Sequence, residues 1–494
     1  MNLVTSILQH AMDDPKRIAL TDQQSSLTYS VLVHRIKRIA LGLKQQHVHG
    51  HDKIVILSAN RIEFVEVFLG AVYAGCIPVP LDPKWTKAEV DAVIEQCQPA
   101  MIFADQALAN NLSLEDREIR LLTFSDEEEG SYDRWLEPLQ PEAEMDDTNE
   151  CLFIGFTSGT TGMPKGYLRS HLSWIKSFEA TSEAFRLNPM EHFSAPGPFV
   201  HSLSLFALMQ SLYFGATFHI IRHFTAGKVL ELCKQVPEVI LFVVPTMIES
   251  MMQEASPGQT RIQALISSGG KWSEASMMRC KEIFGDAKLY EYYGSSEASY
   301  ISYTDVYADN KPDSVGRPFN GVEVSIRDEH FQEVPSGTIG QLYIRSGMIF
   351  SGYDHLPDET ASVFRDGWLR LGDYASMDAD GFLRLAGRAK NMIISGGLNV
   401  FPEEVESVLQ RLPEIAEVMV FGVPDVYWGE AVTALVRWNG EKRLSTEEIK
   451  QYCRHDLASY KAPKQLITVD HFIYTSSGKI ARHAMKESVK RVMI

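Results

Sequence analysis

Apolar positions along the first third of the chain alternate between two periods. Over residues 29–45 and 63–74 they recur every three or four places, which predicts helices; over 53–58 and 77–81 they run together, which predicts buried strands. Such alternation implies βαβ units and a parallel sheet with helices on both faces. A polar and acidic stretch from 125 to 149 reads as a solvated excursion before a new strand at 152–156. Runs at 218–221, 239–243 and 264–267, separated by helical segments, extend the same architecture. From 316 to 353 the pattern changes to short strands with Gly and Pro turns, a smaller β unit. Beyond 388 it changes again: a strand-like MIISGG, an acidic helix FPEEVESVLQRL, then VMVFGVP and AVTALVRW as strands. The expected fold is therefore α/β: a large N-terminal domain over 1–387, built of βαβ-type sheets plus the small β unit, and a small mobile α+β C-terminal domain over 388–494.

Length and charge narrow the function. With 494 residues, 45% of them hydrophobic and 22% charged, the chain is too long for one core. A formal charge of -17 argues against nucleic acid or an anionic membrane as main partner, since both attract basic faces. The six cysteines lack paired spacing, so neither a disulfide framework nor a zinc site is expected. The first residues lack a basic start with a sustained apolar stretch, so no signal peptide is expected. The most apolar stretch, 65–81, holds Glu66, two glycines and two prolines, which suits a buried helix and strand better than a bilayer span. A soluble cytoplasmic protein without integral membrane association is the expectation.

The strongest local motif is FTSGTTGMPKG, residues 156–166, directly after an apolar strand. Its glycines let backbone N–H groups turn toward an anion, the hydroxyls of Thr157, Ser158, Thr160 and Thr161 add donors around Gly159, and Lys165 adds a charge. That is a polyphosphate cradle. The spacing is not that of a P-loop, because Gly166 stands where that motif has Ser or Thr.

This loop resembles the signature of the adenylate-forming superfamily of acyl-CoA synthetases, aryl-CoA ligases, luciferases and peptide-synthetase adenylation domains. Further motifs follow in the family's order and carry the resemblance over residues 27–482. EYYGSSE, 291–297, is similar to the family's aromatic-Gly-x-Thr-Glu motif, which implies that Tyr293 stacks on adenine, Ser296 meets the α-phosphate and Glu297 holds Mg²⁺. Ser296 departs from the commoner Thr but keeps the hydroxyl. SSGGKW resembles the strand end between adenine and the acyl pocket, where Gly269 and Gly270 let backbone approach the ligand; alone it is only a turn. In the region similar to the family hinge, 368–397, the resemblance gives Asp373 the ribose hydroxyls, Arg388 ribose or phosphate, and Lys390 the hinge, with Ser395, Gly396 and Gly397 on the coenzyme A path. TSSGKIAR resembles the catalytic-lysine motif and assigns Lys479 to charge stabilisation during adenylation, although Tyr474 stands where many members have proline.

The resemblance implies an acid–thiol ligase that uses ATP and Mg²⁺ to convert a carboxylic acid to acyl-AMP with release of pyrophosphate, then passes the acyl group to coenzyme A. The segment 196–217 is similar to the wall of the acyl pocket. His201 stands about where amino-acid-activating relatives have aspartate, and resembles the gating histidine of acyl- and aryl-CoA ligases. Leu203, Leu205, Phe206 and Met209 suit a fatty or other hydrophobic acid, and equally suit core at helical spacing. Other readings stay open: an aryl or o-succinylbenzoate-type CoA ligase, an adenylation enzyme loading a carrier protein, and, from a different class, a non-catalytic nucleotide-binding protein. A homodimer is also left open.

Overall fold

The structure is a computed structural model. It describes residues 2–22, 24–110, 112, 119–125, 131–140, 144–146, 148–157, 164–269, 274–309, 311, 314–396, 398–475 and 479–490. Two parallel sheets dominate the first 300 residues. The larger runs, in spatial order, Arg317–Pro318, Ser299–Asp305, Lys288–Ser295, Ile262–Ser267, Val239–Val243, His192–Ser194, Thr217–His219, Ile18–Thr21 and Ser26–Thr28. Its six middle strands are mutually parallel, and the antiparallel strands are confined to its two edges. The second sheet, Ile77–Leu81, Lys53–Leu57, Met101–Asp105 and Arg120–Phe124, is parallel throughout.

The predicted helix over 29–45 is observed as Tyr29–Gln45, capped by the Thr28 hydroxyl. The apolar stretch 65–81 becomes the helix Ile62–Tyr73 and the strand Ile77–Leu81. Every residue of that helix except Glu63 is buried, because it lies within the principal core cluster that joins the two sheets. Gly70 lets it close on the helix Tyr29–Gln45: a Cβ there would lie 2.6 Å from Ile39 Cγ2. The charge that made this stretch unlike a bilayer span is neutralised inside the protein. Glu66, fully buried, accepts from Arg35 at 2.7 Å and from the Tyr132 hydroxyl at 2.7 Å. No described helix is long and apolar enough to cross a membrane.

A third, antiparallel sheet of Gly352–Tyr353, Lys165–Ser170 and Cys151–Thr157 carries the phosphate-loop motif. The small β unit is larger than its sequence pattern implies. It is an antiparallel sheet running from Val322–Arg327 through Leu383–Arg388, extended past 353 by two-residue strands too short to show a period. The strand expected at 218–221 ends at His219. Beyond Arg388 lies a separate sheet of Leu398–Val400, Ile393–Ser395, Gly429–Trp438, Ile415–Asp425 and Gln465–Thr468, whose core clusters contain only residues from 393 onward. All six cysteines are free, five of them buried, as their spacing predicts.

One element of this fold responds to acid. His171 is 4% exposed and accepts the Leu3 backbone N–H at Nδ1 over 3.2 Å, tying the first helix to His171–Phe185. Burial holds the imidazole down at about 4. The folded value lies below the unfolded value of about 6.5, so the unfolded chain takes up a proton that the folded chain refuses. The stability is complete above about pH 6.5, declines as pH falls, and stops declining below about pH 4. Thermal denaturation across that window is expected to show a shallower acid loss in His171→Gln than in the wild type; parallel curves would refute the assignment.

Candidate active site

The site is assembled where loops from four sheets meet. Thr157 and Lys165 stand opposite each other at the loop end of the hairpin Cys151–Thr157/Lys165–Ser170. Ser158, Gly159, Thr160 and Thr161, between them, lie outside the described residues, as do Gly270 and Gly397. Strand alternation puts Lys165, Tyr167 and Arg169 on one face. Lys165 pairs with Glu359, and the Tyr167 hydroxyl lies 2.8 Å from Ser202 Oγ, which lies 3.0 Å from Ser296 Oγ. Fully buried Arg169 reaches the backbone of the same turn, donating to the Glu297 carbonyl at 3.2 Å. Glu297 accepts the Tyr353 hydroxyl at 3.0 Å on Oε1. Among the described residues no donor bonds its Oε2, so a half-buried carboxylate with a spare oxygen faces the site. That hard oxygen donor suits Mg²⁺.

The turn after Lys288–Ser295 owes its shape to Gly294. The chain doubles back at Ser299, and the register slips between Tyr293 and Gly294. A Cβ on Gly294 would stand 2.1 Å from the Ser299 carbonyl oxygen, which no rotamer change can relieve. Gly294→Ala is therefore expected to cost about 3 kcal/mol of stability by forcing the strands apart, with nucleotide binding lost even where the variant folds. Wild-type denaturation midpoints and AMP affinity in that variant would rule this out.

Asp373 opens one strand and Arg388 closes the next, directly opposite in register. Asp373 is buried and accepts twice: from the Tyr293 hydroxyl at 2.6 Å on Oδ2 and from Arg388 Nε at 2.8 Å on Oδ1. Each oxygen retains a lone pair. Burial and the Asp373 carboxylate together hold the Tyr293 phenol well above its ordinary range, so it stays a neutral donor. Lys479 enters from the far end of the chain. Its Cε lies 3.6 Å from where a Cβ on Gly269 would be, and Gly269 has φ +93°. Surrounding protein and then Arg388 lower the Lys479 pKa, Asp373 opposing and Lys390 adding to the decrease. Lys390 follows in the single turn Ala389–Asn391. Ser395 and Gly396 are held by their own sheet: Ser395 pairs with Gly429 and the Gly396 N–H donates to the Trp428 carbonyl at 2.7 Å. The structure groups them with that sheet rather than with Asp373 and Lys479.

His201 precedes the helix Ser202–Tyr213, its Nε2 3.6 Å from Asp82 Oδ2. Among the described residues neither atom has a hydrogen-bond partner, and burial lowers the imidazole pKa while Asp82 raises it and Lys84 lowers it. Of the four apolar residues expected at the acyl pocket, Leu205, Phe206 and Met209 are core, with Phe206 edge-on to Trp174, Phe178 and Tyr300. Leu203 is half-buried. Here helical spacing reports packing between layers, not a ligand wall.

Six residues of the site were not legible as such: Asp82, Tyr167, Arg169, Ser202, Tyr353 and Glu359 meet only through tertiary structure. The one available signal was alternation after Lys165, which places Tyr167 and Arg169 on the lysine's face.

Comparison with known proteins gives the family. The AMP-binding enzyme family matches residues 7–354, and the AMP-binding enzyme C-terminal domain matches 404–479. The chain is 32% identical to the uncharacterized acyl-CoA ligase YhfT of Bacillus subtilis, covering 99% of this chain and 98% of that one. Among solved structures it superposes on ATP-bound MatB from Rhodopseudomonas palustris with a TM-score of 0.91 at 25% identity, covering 100% of both chains. It superposes on o-succinylbenzoate CoA synthetase (MenE) from Bacillus subtilis, in complex with its acyl-adenylate intermediate, with a TM-score of 0.85 at 26% identity and 97% coverage of each. With both family segments in order along one chain, and Lys479 of the second meeting Gly269 of the first, this protein belongs to the AMP-binding enzyme family.

Proposed function

We infer that this enzyme is an AMP-forming acid–thiol ligase: it joins a carboxylic acid to the α-phosphate of ATP, releases pyrophosphate, and transfers the acyl group from acyl-AMP to coenzyme A. The observation that carries the reading is the meeting of Lys479 with Gly269 beside the Tyr293–Asp373–Arg388 cluster. A carboxylate and a triphosphate repel each other, so catalysis must come from alignment and from cations placed where charge builds. Lys165 and Lys479 supply them from two sides. On this reading Thr157, Ser158, Gly159, Thr160 and Thr161 hold the polyphosphate, Tyr293 and the Gly269–Gly270 backbone the adenine, Ser296 the α-phosphate, and Asp373 and Arg388 the ribose. Mg²⁺ bound at Glu297 would neutralise phosphate charge.

In the first step a carboxylate oxygen bonds to the α-phosphorus as the bond to pyrophosphate breaks. In the second, the thiol sulfur bonds to the acyl carbon, AMP leaves with the electron pair, and the thiol proton goes to solvent. Between the steps the module over 388–494 turns about Lys390, withdrawing Lys479 and bringing Ser395, Gly396 and Gly397 toward the thiol's path. Ser395 and Gly396 sit on their own sheet in the conformation described, which is the adenylating one on this reading.

His201, with Asp82 behind it, gates the acyl pocket. The absence of a carboxylate at position 201, with the half-buried Leu203 two residues on, favours a fatty or other hydrophobic acid. The likeness to o-succinylbenzoate CoA synthetase favours an aryl or o-succinylbenzoate-type acid as second reading. A cytoplasmic location belongs to the same proposal. Pyrophosphate release, measured over short to long aliphatic and aryl acids with and without coenzyme A, tests it. Stimulation by coenzyme A with one acid class is the expected result. Pyrophosphate without acyl-CoA would move the acceptor to a carrier protein, and no release with any acid would overturn the reading.

A further inference from the structure

We propose that Arg169 is a positioning residue for the Ser296–Glu297 turn, a buried guanidinium whose fork holds the metal-binding carboxylate and the α-phosphate hydroxyl in place from beneath. The proposal rests on the reading of Glu297 as the Mg²⁺ ligand and goes beyond it, to what orients that ligand.

Arg169 is 1% exposed, on the strand Lys165–Ser170. Its Nη1 donates to the Ser296 carbonyl at 3.4 Å and the Glu297 carbonyl at 3.2 Å, and its Nη2 to the Met348 carbonyl at 2.7 Å. The Glu297 carbonyl also accepts the Phe350 N–H at 2.7 Å, so residues 296–297 and 348–350 are stitched together around one side chain. Among the described residues no carboxylate lies within ion-pair distance of it. Burying an unpaired cation costs several kcal/mol, and three carbonyls could be satisfied by neutral donors, so the fold retains here a group harder to bury than packing requires. What a guanidinium adds is a rigid planar set of donors able to span two backbone segments at once; a lysine ammonium is a point charge on a flexible stem. Tyr167, two residues earlier on the same face, reaches Ser296 through Ser202. One strand thus carries Lys165 at the phosphate loop, Tyr167 toward the Ser296 hydroxyl, and Arg169 under the Ser296–Glu297 backbone.

Full-length Arg169→Lys and Arg169→Gln test this. Mn²⁺ binding in the presence of ATP, followed by electron paramagnetic resonance, is expected to weaken about 10- to 100-fold in both, the range for loss of a group that orients a metal ligand. Pyrophosphate release is expected to need correspondingly more Mg²⁺. Thioester formation from supplied acyl-adenylate, which keeps the α-phosphate at Ser296 but no longer needs the metal, should lose clearly less than pyrophosphate release, and it also reports a folded enzyme. Unchanged or tighter Mn²⁺ binding in a folded variant would overturn the proposal, as would equal losses in both half-reactions. Glu297→Gln serves as the reference. Intact metal affinity there would remove the reading of Glu297 and this proposal with it, whereas intact affinity in the Arg169 variants alone removes only the proposal.

Discussion

Lys479→Ala is expected to slow acyl-AMP formation by about 10²–10³-fold while leaving thioester formation from supplied acyl-AMP at the wild-type rate. Lys479 is tied to Thr475 by two bonds: the Thr475 N–H donates to the Lys479 carbonyl at 2.8 Å and the Lys479 N–H to Thr475 Oγ1 at 3.2 Å. Its removal takes little packing from the fold, since the residue is exposed. What is lost is a cation positioned where negative charge develops on the α-phosphate and its leaving group, an effect of about 10²–10³-fold in rate for one positioned donor. In the second half-reaction a neutral thiol or its anion attacks a carbonyl, and on the two-position reading Lys479 has by then been withdrawn. Single-turnover measurements of the two half-reactions separate the cases. Equal losses in both would mean that one arrangement of the module serves both steps.

Asp373→Asn is expected to lower kcat/KM for ATP by about 100-fold while leaving KM for the acid near the wild-type value. A hydrogen bond to a charged acceptor contributes about 1.5–3 kcal/mol, and each 1.4 kcal/mol is tenfold. The amide keeps the size of the carboxylate but loses its charge and one of its two acceptor oxygens. Tyr293 and Arg388 already occupy one lone pair on each oxygen, so the substitution disturbs the pre-formed cluster as well as any ribose contact. The measurement is pyrophosphate release against ATP concentration, with AMP affinity by calorimetry as the equilibrium check. A loss confined to the acid's KM would place Asp373 in the acyl pocket instead.

The site was legible in proportion to how much of its chemistry is local. The phosphate loop, the Tyr293–Glu297 turn and the Lys479 turn are each short segments in which glycine and the functional side chain are neighbours, because the backbone conformation and the chemistry are needed at the same place. Asp373 and Arg388 could be named but not joined. Their mutual bond depends on a strand register across fifteen residues. Arg169 and Asp82 were invisible as site residues, since a lone charge beside a strand is ordinarily a solvated group and only burial makes it otherwise. The apolar positions of the helix Ser202–Tyr213 could be read either way, and the structure places Leu205, Phe206 and Met209 in core.

By itself, the order of residues determined the alternation of strands and helices, the change to short strands and then to a separate α+β module, and the chemical kinds present at the site. Period and composition are local properties, so these follow from sequence. Tertiary structure alone decided that the parallel strands from 18 to 295 share one sheet, that Glu66 is neutralised within the core, that Tyr293 and Arg388 converge on Asp373, and that Lys479 reaches Gly269. Such contacts link residues up to hundreds of positions apart. They are set by which apolar faces bury together, information that is distributed over the whole chain and absent from any one segment of it.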